Sequence, residues 1–216
     1  KIIEFAPGFY DKKLWIDTYN DLINQVSVLN KLFLDIGVCK GDRVAAMMPN
    51  TPETIIASIA SSSLGAVWAS TSPDFGIQAI LDRFEQINPT VLVLCDGYTF
   101  KGKTYSCYDK INTLINLKSV KKVIIFDYMK LDRIEHQKCV YWNEIDFNKT
   151  DNELEFVSTS FDDPLYIMFS SGTTGKPKSI VHSVGGTLIQ HIKELGLHTD
   201  LQEEEKILYY TTCGWM

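Results

Sequence analysis

Ser170-Ser171-Gly172-Thr173-Thr174-Gly175-Lys176-Pro177-Lys178 packs four hydroxyls, two glycines and two lysines into nine positions. Glycine lets backbone N–H groups turn inward around an oxyanion, hydroxyls donate further hydrogen bonds, and lysine supplies charge. That chemistry suits a polyphosphate. The stretch follows Leu165-Tyr166-Ile167-Met168-Phe169, an apolar run bounded by Pro164 that reads as a buried strand. An apolar helix is expected to leave it, which is the setting of a phosphate loop. It is not a Walker A loop, because Gly172 and Gly175 are too close together. Pro177 also stands where a Mg²⁺-binding Ser or Thr would follow the lysine. A plain surface loop shares the composition, but the flanking elements favour phosphate binding.

Other residues carry less specific signals. His182 follows Ile180-Val181, and no carboxylate stands nearby in sequence to orient it. It reads as a structural histidine rather than a proton carrier. Gly185 and Gly186 are expected to open a helix bearing Leu188, Ile192 and Leu195 and to let it pack closely on a sheet. His191 and His198 lack metal-like spacing to His182. Trp15 and Trp68 sit in apolar runs and read as core, and Glu203-Glu204-Glu205 as a solvated turn.

Stepping along the chain, apolar residues from Trp15 through Tyr19, Leu22, Val26, Leu29 and Phe33 to Ile36 recur at three- and four-residue steps. They predict an amphipathic helix stopped by Gly37. A strand is predicted over 43–48, then a helix capped by Thr51 with Pro52 in its first turn, running to Leu64. Val67-Trp68-Ala69 is a second strand. Asp74 can cap a helix over 76–87, which Asn88-Pro89 ends. Val91-Leu92-Val93-Leu94-Cys95 and residues 122–126 are apolar runs of the kind buried on both sheet faces, with a helix around 109–117 between them. The alternation predicts an α/β fold with a mainly parallel, helix-covered sheet. The polar stretch 143–163 is the linker candidate, joining two parts of one larger domain.

With 45% hydrophobic residues in 216, the chain can bury a substantial core. A net charge of −6 argues against general nucleic-acid binding. Cys39, Cys95, Cys107, Cys139 and Cys213 are scattered without a Cys-x-x-Cys spacing. They indicate neither a zinc site nor a disulfide framework, and fit reduced thiols in a cytosolic protein. No apolar run approaches the length of a membrane span.

The loop resembles the phosphate-binding signature of the adenylate-forming superfamily of acyl-CoA synthetases, luciferases and adenylation domains. Its flanks, Met168-Phe169-Ser170-Ser171 and Ile180-Val181-His182-Ser183-Val184-Gly185-Gly186, narrow the resemblance to the acid–CoA ligases that act on acetoacetate. So do Leu64-Gly65-Ala66-Val67-Trp68-Ala69-Ser70-Thr71-Ser72-Pro73-Asp74-Phe75-Gly76, Leu81-Asp82-Arg83-Phe84 and Thr211-Thr212-Cys213-Gly214-Trp215-Met216. The resemblance runs from about Leu14 to the last residue and is weakest over 127–161.

The resemblance implies the large N-terminal adenylation domain of such an enzyme, incomplete at its C-terminus. In that chemistry a carboxylate attacks the α-phosphorus of ATP, pyrophosphate leaves, and the CoA thiolate then displaces AMP. ATP, Mg²⁺ and CoA are implied, with acetoacetate as the acid; acetyl- or propionyl-CoA synthesis and a non-catalytic remnant are the alternatives. Ser170, Ser171, Thr173 and Thr174 would bond the β- and γ-phosphates, and Gly172 and Gly175 would admit the backbone. Lys178 corresponds to the basic residue that ends the family loop, whereas Lys176 falls on a less constrained position. Phe100-Lys101-Gly102-Lys103 corresponds to an Arg-x-Gly-Arg-like tetrapeptide that contacts the CoA nucleotide. Gly102 and Lys103 match it, while Phe100 replaces the first arginine, so a solvated turn is an equal reading. Gly214, Trp215 and Met216 resemble an element lining the acyl pocket. The catalytic groups, the acidic residues for ribose and Mg²⁺, and a mobile C-terminal domain are expected beyond Met216, so residues 1–216 alone are expected to be inactive.

Overall fold

Short runs of β-branched and apolar residues form the centre of the molecule as parallel strands, and amphipathic segments between them cross back as helices. The computed structural model describes residues 2–4, 15–148, 153–170, 175–207 and 211–212. A small antiparallel ribbon of β1 (Ile2–Glu4) and β2 (Trp15–Asp17) precedes α1 (Tyr19–Ile36). Trp15 therefore lies in a strand, which corrects the helix expected from that residue. The reason is local: the Asp21 N–H donates to Thr18 Oγ1 at 3.2 Å, and the Thr18 N–H donates to Asp21 Oδ2 at 2.8 Å. This reciprocal cap starts the helix after Thr18. Gly37, at φ 84°, ends it as expected.

The chain continues through β3 (Arg43–Met47), α2 (Pro52–Ser63), β4 (Val67–Thr71), α3 (Ile77–Ile87) and β5 (Val91–Cys95). Gly76 caps α3, so the role expected of Asp74 is not observed. Beyond β5 a hairpin of β6 (Gly97–Phe100) and β7 (Lys103–Ser106) leads into α4 (Tyr108–Leu114) and β8 (Lys122–Phe126). β9 (Cys139–Tyr141), β10 (Pro164–Phe169), β11 (Ser179–Ser183) and α5 (Val184–Ile192) follow, and α5 runs on into a π-helical turn, Lys193–His198.

Seven strands form one sheet in the order β11-β10-β4-β3-β5-β8-β9. Every pairing is parallel except that of β11 with β10. Within it, β4-β3-β5-β8-β9 is the 2-1-3-4-5 order of a doubly wound fold. Right-handed crossovers then put α2 and α3 on opposite faces. Covered on both sides, β3 and β5 bury Val44, Ala45, Ala46, Met47 and the whole run Val91 to Cys95 to 0% exposure. In such sheets ligands bind outside the carboxyl ends of the strands.

Of the described parts of the 143–163 stretch, residues 143–148 follow β9, and residues 153–163 lie against α1 and α2 and are tied to them. Asn30 donates from Nδ2 to Ser63 Oγ at 2.8 Å and to the Glu155 carbonyl at 3.0 Å. Lys40 reaches Asp163 at 2.8 Å, and the Val157 N–H bonds the Ser63 carbonyl at 2.8 Å. Gly185 then sits so close to Phe161 that an added Cβ would lie 2.1 Å from its ring. The close approach expected of this glycine is therefore made to Phe161 rather than to the sheet.

Candidate functional site

β10 ends at Phe169, and the candidate phosphate loop leaves from the carboxyl edge of the sheet. Of its predicted residues, Ser170, Gly175, Lys176 and Lys178 are described, whereas Ser171, Gly172, Thr173 and Thr174 lie outside the described residues. The stem is closed by two bonds: the Ser170 N–H donates to the Lys178 carbonyl at 3.0 Å, and the Lys178 N–H to Ser170 Oγ at 3.3 Å. The loop thus joins two antiparallel strands, and the helix expected to leave it begins only after β11. Ile180 and Val181 are β-branched and continue the pairing with β10, while Ser183 Oγ accepts from the Gly186 N–H at 3.2 Å and caps α5 there. The exit from the loop on the Lys178 side is therefore a strand, not a helix N-terminus.

α3 lies beside this stem and holds it. Gln86 Nε2 donates to the Pro177 carbonyl at 2.9 Å, and Lys176 Nζ stands 3.6 Å from Asp82 Oδ1, which also accepts from Gln78 at 2.9 Å. The Arg83 guanidinium sits 4.8 Å from the Phe75 ring centroid and 5.8 Å from that of Phe169. Burial pushes Arg83 below the usual arginine range, partly offset by the Asp82 carboxylate. Residue-type reasoning passed over Asp82, Arg83 and Gln86 as site residues, because nothing local marks a helix face as the neighbour of a loop ninety residues on. Lys178 is exposed, and among the described residues no carboxylate pairs with it.

His182 sits in β11 with its ring 5.0 Å from that of Tyr166, and its buried Nε2 has no partner among the described residues. On the same face, Trp68, Ser70, Tyr166 and Met168 line a groove of about 300 Å³ with Ser58 and Ser62 of α2. Both of those serines spend their hydroxyl protons on carbonyls of their own helix, at 2.8 Å each. The groove thus adds little polar chemistry.

The candidate CoA contact is the tip of the β6–β7 hairpin. Lys101 and Gly102 occupy it at φ 50° and 74°, a two-residue turn that brings Phe100 opposite Lys103. Gly102 and Lys103 are exposed. Lys110 ties the hairpin to the loop after β4, donating to the Pro73 carbonyl at 2.6 Å with its ammonium 5.5 Å from the Tyr98 ring centroid. Hairpin and phosphate loop consequently arise on the same edge of the sheet. The acyl-pocket residues Gly214, Trp215 and Met216 lie outside the described residues, but Asn50, just past β3, donates to the Thr211 carbonyl and brings that part of the chain back to the carboxyl edge.

Among the described residues no group of three His, Cys, Asp or Glu could hold a metal ion. Nor is any described helix long and apolar enough to cross a membrane. Cys39, Cys95, Cys107 and Cys139 are free thiols, Cys95 and Cys107 being buried, and Cys213 lies outside the described residues.

The chain, a doubly wound sheet with a hydroxyl- and lysine-rich loop on its carboxyl edge, belongs to the AMP-binding enzyme family, whose model matches residues 10–216. The relatives it resembles are narrower in kind. It is 44% identical over 209 residues to the acetoacetyl-coenzyme A synthetase of Rhizobium meliloti (strain 1021), covering 95% of this chain and 32% of that protein. Identity to the acetoacetyl-CoA synthetase of Gallus gallus is 40% over 224 residues, covering 100% of this chain and 34% of the relative. Among solved structures, the acetoacetyl-CoA synthetase from Streptomyces lividans superposes with a TM-score of 0.88 at 37% identity, over 94% of this chain and 31% of that one. The chain thus spans about a third of the length of the relatives it matches.

Proposed function

We propose that this chain supplies the ATP phosphate-binding part of an AMP-forming acid–CoA ligase whose acid is acetoacetate. The observation that carries the reading is the match to the Streptomyces lividans acetoacetyl-CoA synthetase, 0.88 in TM-score over 94% of the chain. A carboxylate is a poor electrophile because oxide is a poor leaving group. Its attack on the α-phosphorus of ATP forms an acyl-adenylate with loss of pyrophosphate, and a CoA thiolate then displaces AMP.

The first step concentrates negative charge on the phosphoryl oxygens, so the protein's contribution is positioning and electrostatic stabilisation. In this reading Ser170, Ser171, Thr173 and Thr174 donate to the β- and γ-phosphates. Gly172 and Gly175 admit the backbone, and Lys178, with Lys176 beside it, balances the charge. Gly102 and Lys103 meet the nucleotide end of CoA, and Gly214, Trp215 and Met216 shape the acyl pocket. Mg²⁺ would screen the ATP phosphates when bound. The scattered thiols fit a cytosolic setting.

The test is ATP–pyrophosphate exchange by the full-length protein with acetoacetate, acetate and propionate in turn. Exchange should be fastest with acetoacetate, and thioester should form when CoA is added. Preference for acetate or propionate would replace the acid, and absence of exchange with every acid would remove the enzymatic reading.

A further inference from the structure

Two polar side chains near the phosphate loop have incomplete bonding among the described residues. Thr71 closes β4 at its carboxyl end, is 3% exposed, and has no partner for its buried Oγ1. Arg83 is 9% exposed and donates one hydrogen bond, from Nη1 to the Ala79 carbonyl at 2.6 Å. Among the described residues no carboxylate lies within salt-bridge distance of it, although the Asp82 charge acts on it.

The pleat brings the two together. Ala69 is in register with Ile167, and side chains two residues on share the same face, so Thr71 and Phe169 project side by side. That face is the one α3 covers, since Arg83 reaches the Phe169 ring. The guanidinium carbon lies over both the Phe75 and the Phe169 ring, and donors beyond the one given to Ala79 remain on the group. The aromatic faces and the neighbouring Asp82 carboxylate compensate only part of the hydration this cation loses. Such an arrangement is explained if its field is used. Phe169 is bonded directly to Ser170, whose N–H and hydroxyl close the loop on Lys178.

We propose that Arg83 is a positioning residue for the phosphate loop: clamped on Phe169, it fixes the stem at Ser170 and holds a positive charge beneath the polyphosphate. The proposal rests on the reading of the loop as a phosphate site. It does not depend on which acid is activated. A purely structural Arg83 would instead stabilise α3 against the sheet and leave ligand affinities alone once the protein is folded.

The test uses the full-length protein and the variants Arg83→Met, which keeps bulk without charge, and Arg83→Lys, which keeps charge without the flat stacking surface. ATP and inorganic pyrophosphate binding are measured by calorimetry, which needs no acid, alongside thermal unfolding and the KM values for ATP, acid and CoA. Arg83→Met should weaken both ATP and pyrophosphate on the order of tenfold, the scale of a desolvated cation–π contact. Arg83→Lys should fall between it and wild type, and KM for acid and CoA should not move. Wild-type affinity for ATP and pyrophosphate in folded Arg83→Lys and Arg83→Met overturns the proposal, as does an equal loss for ATP, acid and CoA. Should Arg83→Met fail to fold, wild-type pyrophosphate affinity in Arg83→Lys overturns it alone. ATP binding with turnover of a different acid would sink the acetoacetate assignment and leave Arg83 tested, whereas a wild-type protein that binds neither ATP nor pyrophosphate overturns both.

Discussion

Ser170 and Lys178 hold each other across the mouth of the candidate phosphate loop through two backbone-anchored hydrogen bonds, at 3.0 and 3.3 Å. The stem geometry is therefore set by main-chain atoms and one hydroxyl acceptor. The Lys178 ammonium is not part of it, so its charge and its scaffold role can be separated by mutation.

Lys178→Ala in the full-length protein should leave the stem intact and remove a charge-assisted bond to phosphate. A bond of that kind is worth about 1.5–3 kcal/mol, so adenylation should slow roughly tenfold to a hundredfold. Thermal stability should hardly change, since the side chain is exposed. Pyrophosphate exchange checks this, and a wild-type rate would remove Lys178 from the site.

In the proposed site Asp82 would compete with phosphate for Lys176, the two side chains being 3.6 Å apart with Lys176 69% exposed. An exposed pair contributes about 0–1 kcal/mol, so Asp82→Asn should be nearly neutral for stability. It should lower the KM for ATP by about two- to threefold, by freeing the lysine and removing a like charge beside the ligand. A higher KM would mean that Asp82 holds Lys176 in its working position instead.

Lys103 projects from an exposed hairpin, where a charge reversal should not disturb the fold. Lys103→Glu should raise the KM for CoA and leave that for ATP unchanged, because a carboxylate would face the 3′-phosphate. Dephospho-CoA lacks that group and should be far less affected. If the variant distinguishes the two thiols as wild type does, Lys103 belongs to a solvated turn and nothing more.

Gly97 seats the same hairpin against the chain that follows β8. A Cβ there would lie 2.7 Å from the Tyr105 carbonyl oxygen and 2.9 Å from Leu131 Cδ1. The first of these is backbone and cannot swing away, so Gly97→Ala should cost about 1–3 kcal/mol. Gly76, with nothing within 4 Å of an added Cβ, is the control and should accept alanine with little change. Denaturant unfolding of both variants decides it; equal stability would show that the hairpin is not held by this contact.

The sequence by itself determined what short-range physics decides. The apolar run Val91 to Cys95 is buried throughout, as its unbroken pattern requires, and Gly37 stops α1 in the left-handed conformation open to glycine. The density of hydroxyl, glycine and lysine at 170–178 marked the loop without any knowledge of its surroundings. Local rules also misled where two local signals compete: the Thr18–Asp21 cap overrode the helical spacing of Trp15, and strand pairing claimed Ile180 and Val181 before α5 could start. Tertiary structure alone decided the strand order, with the chain crossing from β4 over β3 to set β5 on the far side of β3, and it brought α3 against the loop stem. The contacts of Gln86 with Pro177 and of Arg83 with Phe169 join residues far apart in the chain. No periodicity encodes them, because they exist only once the sheet has chosen which strands are neighbours and which face each helix covers.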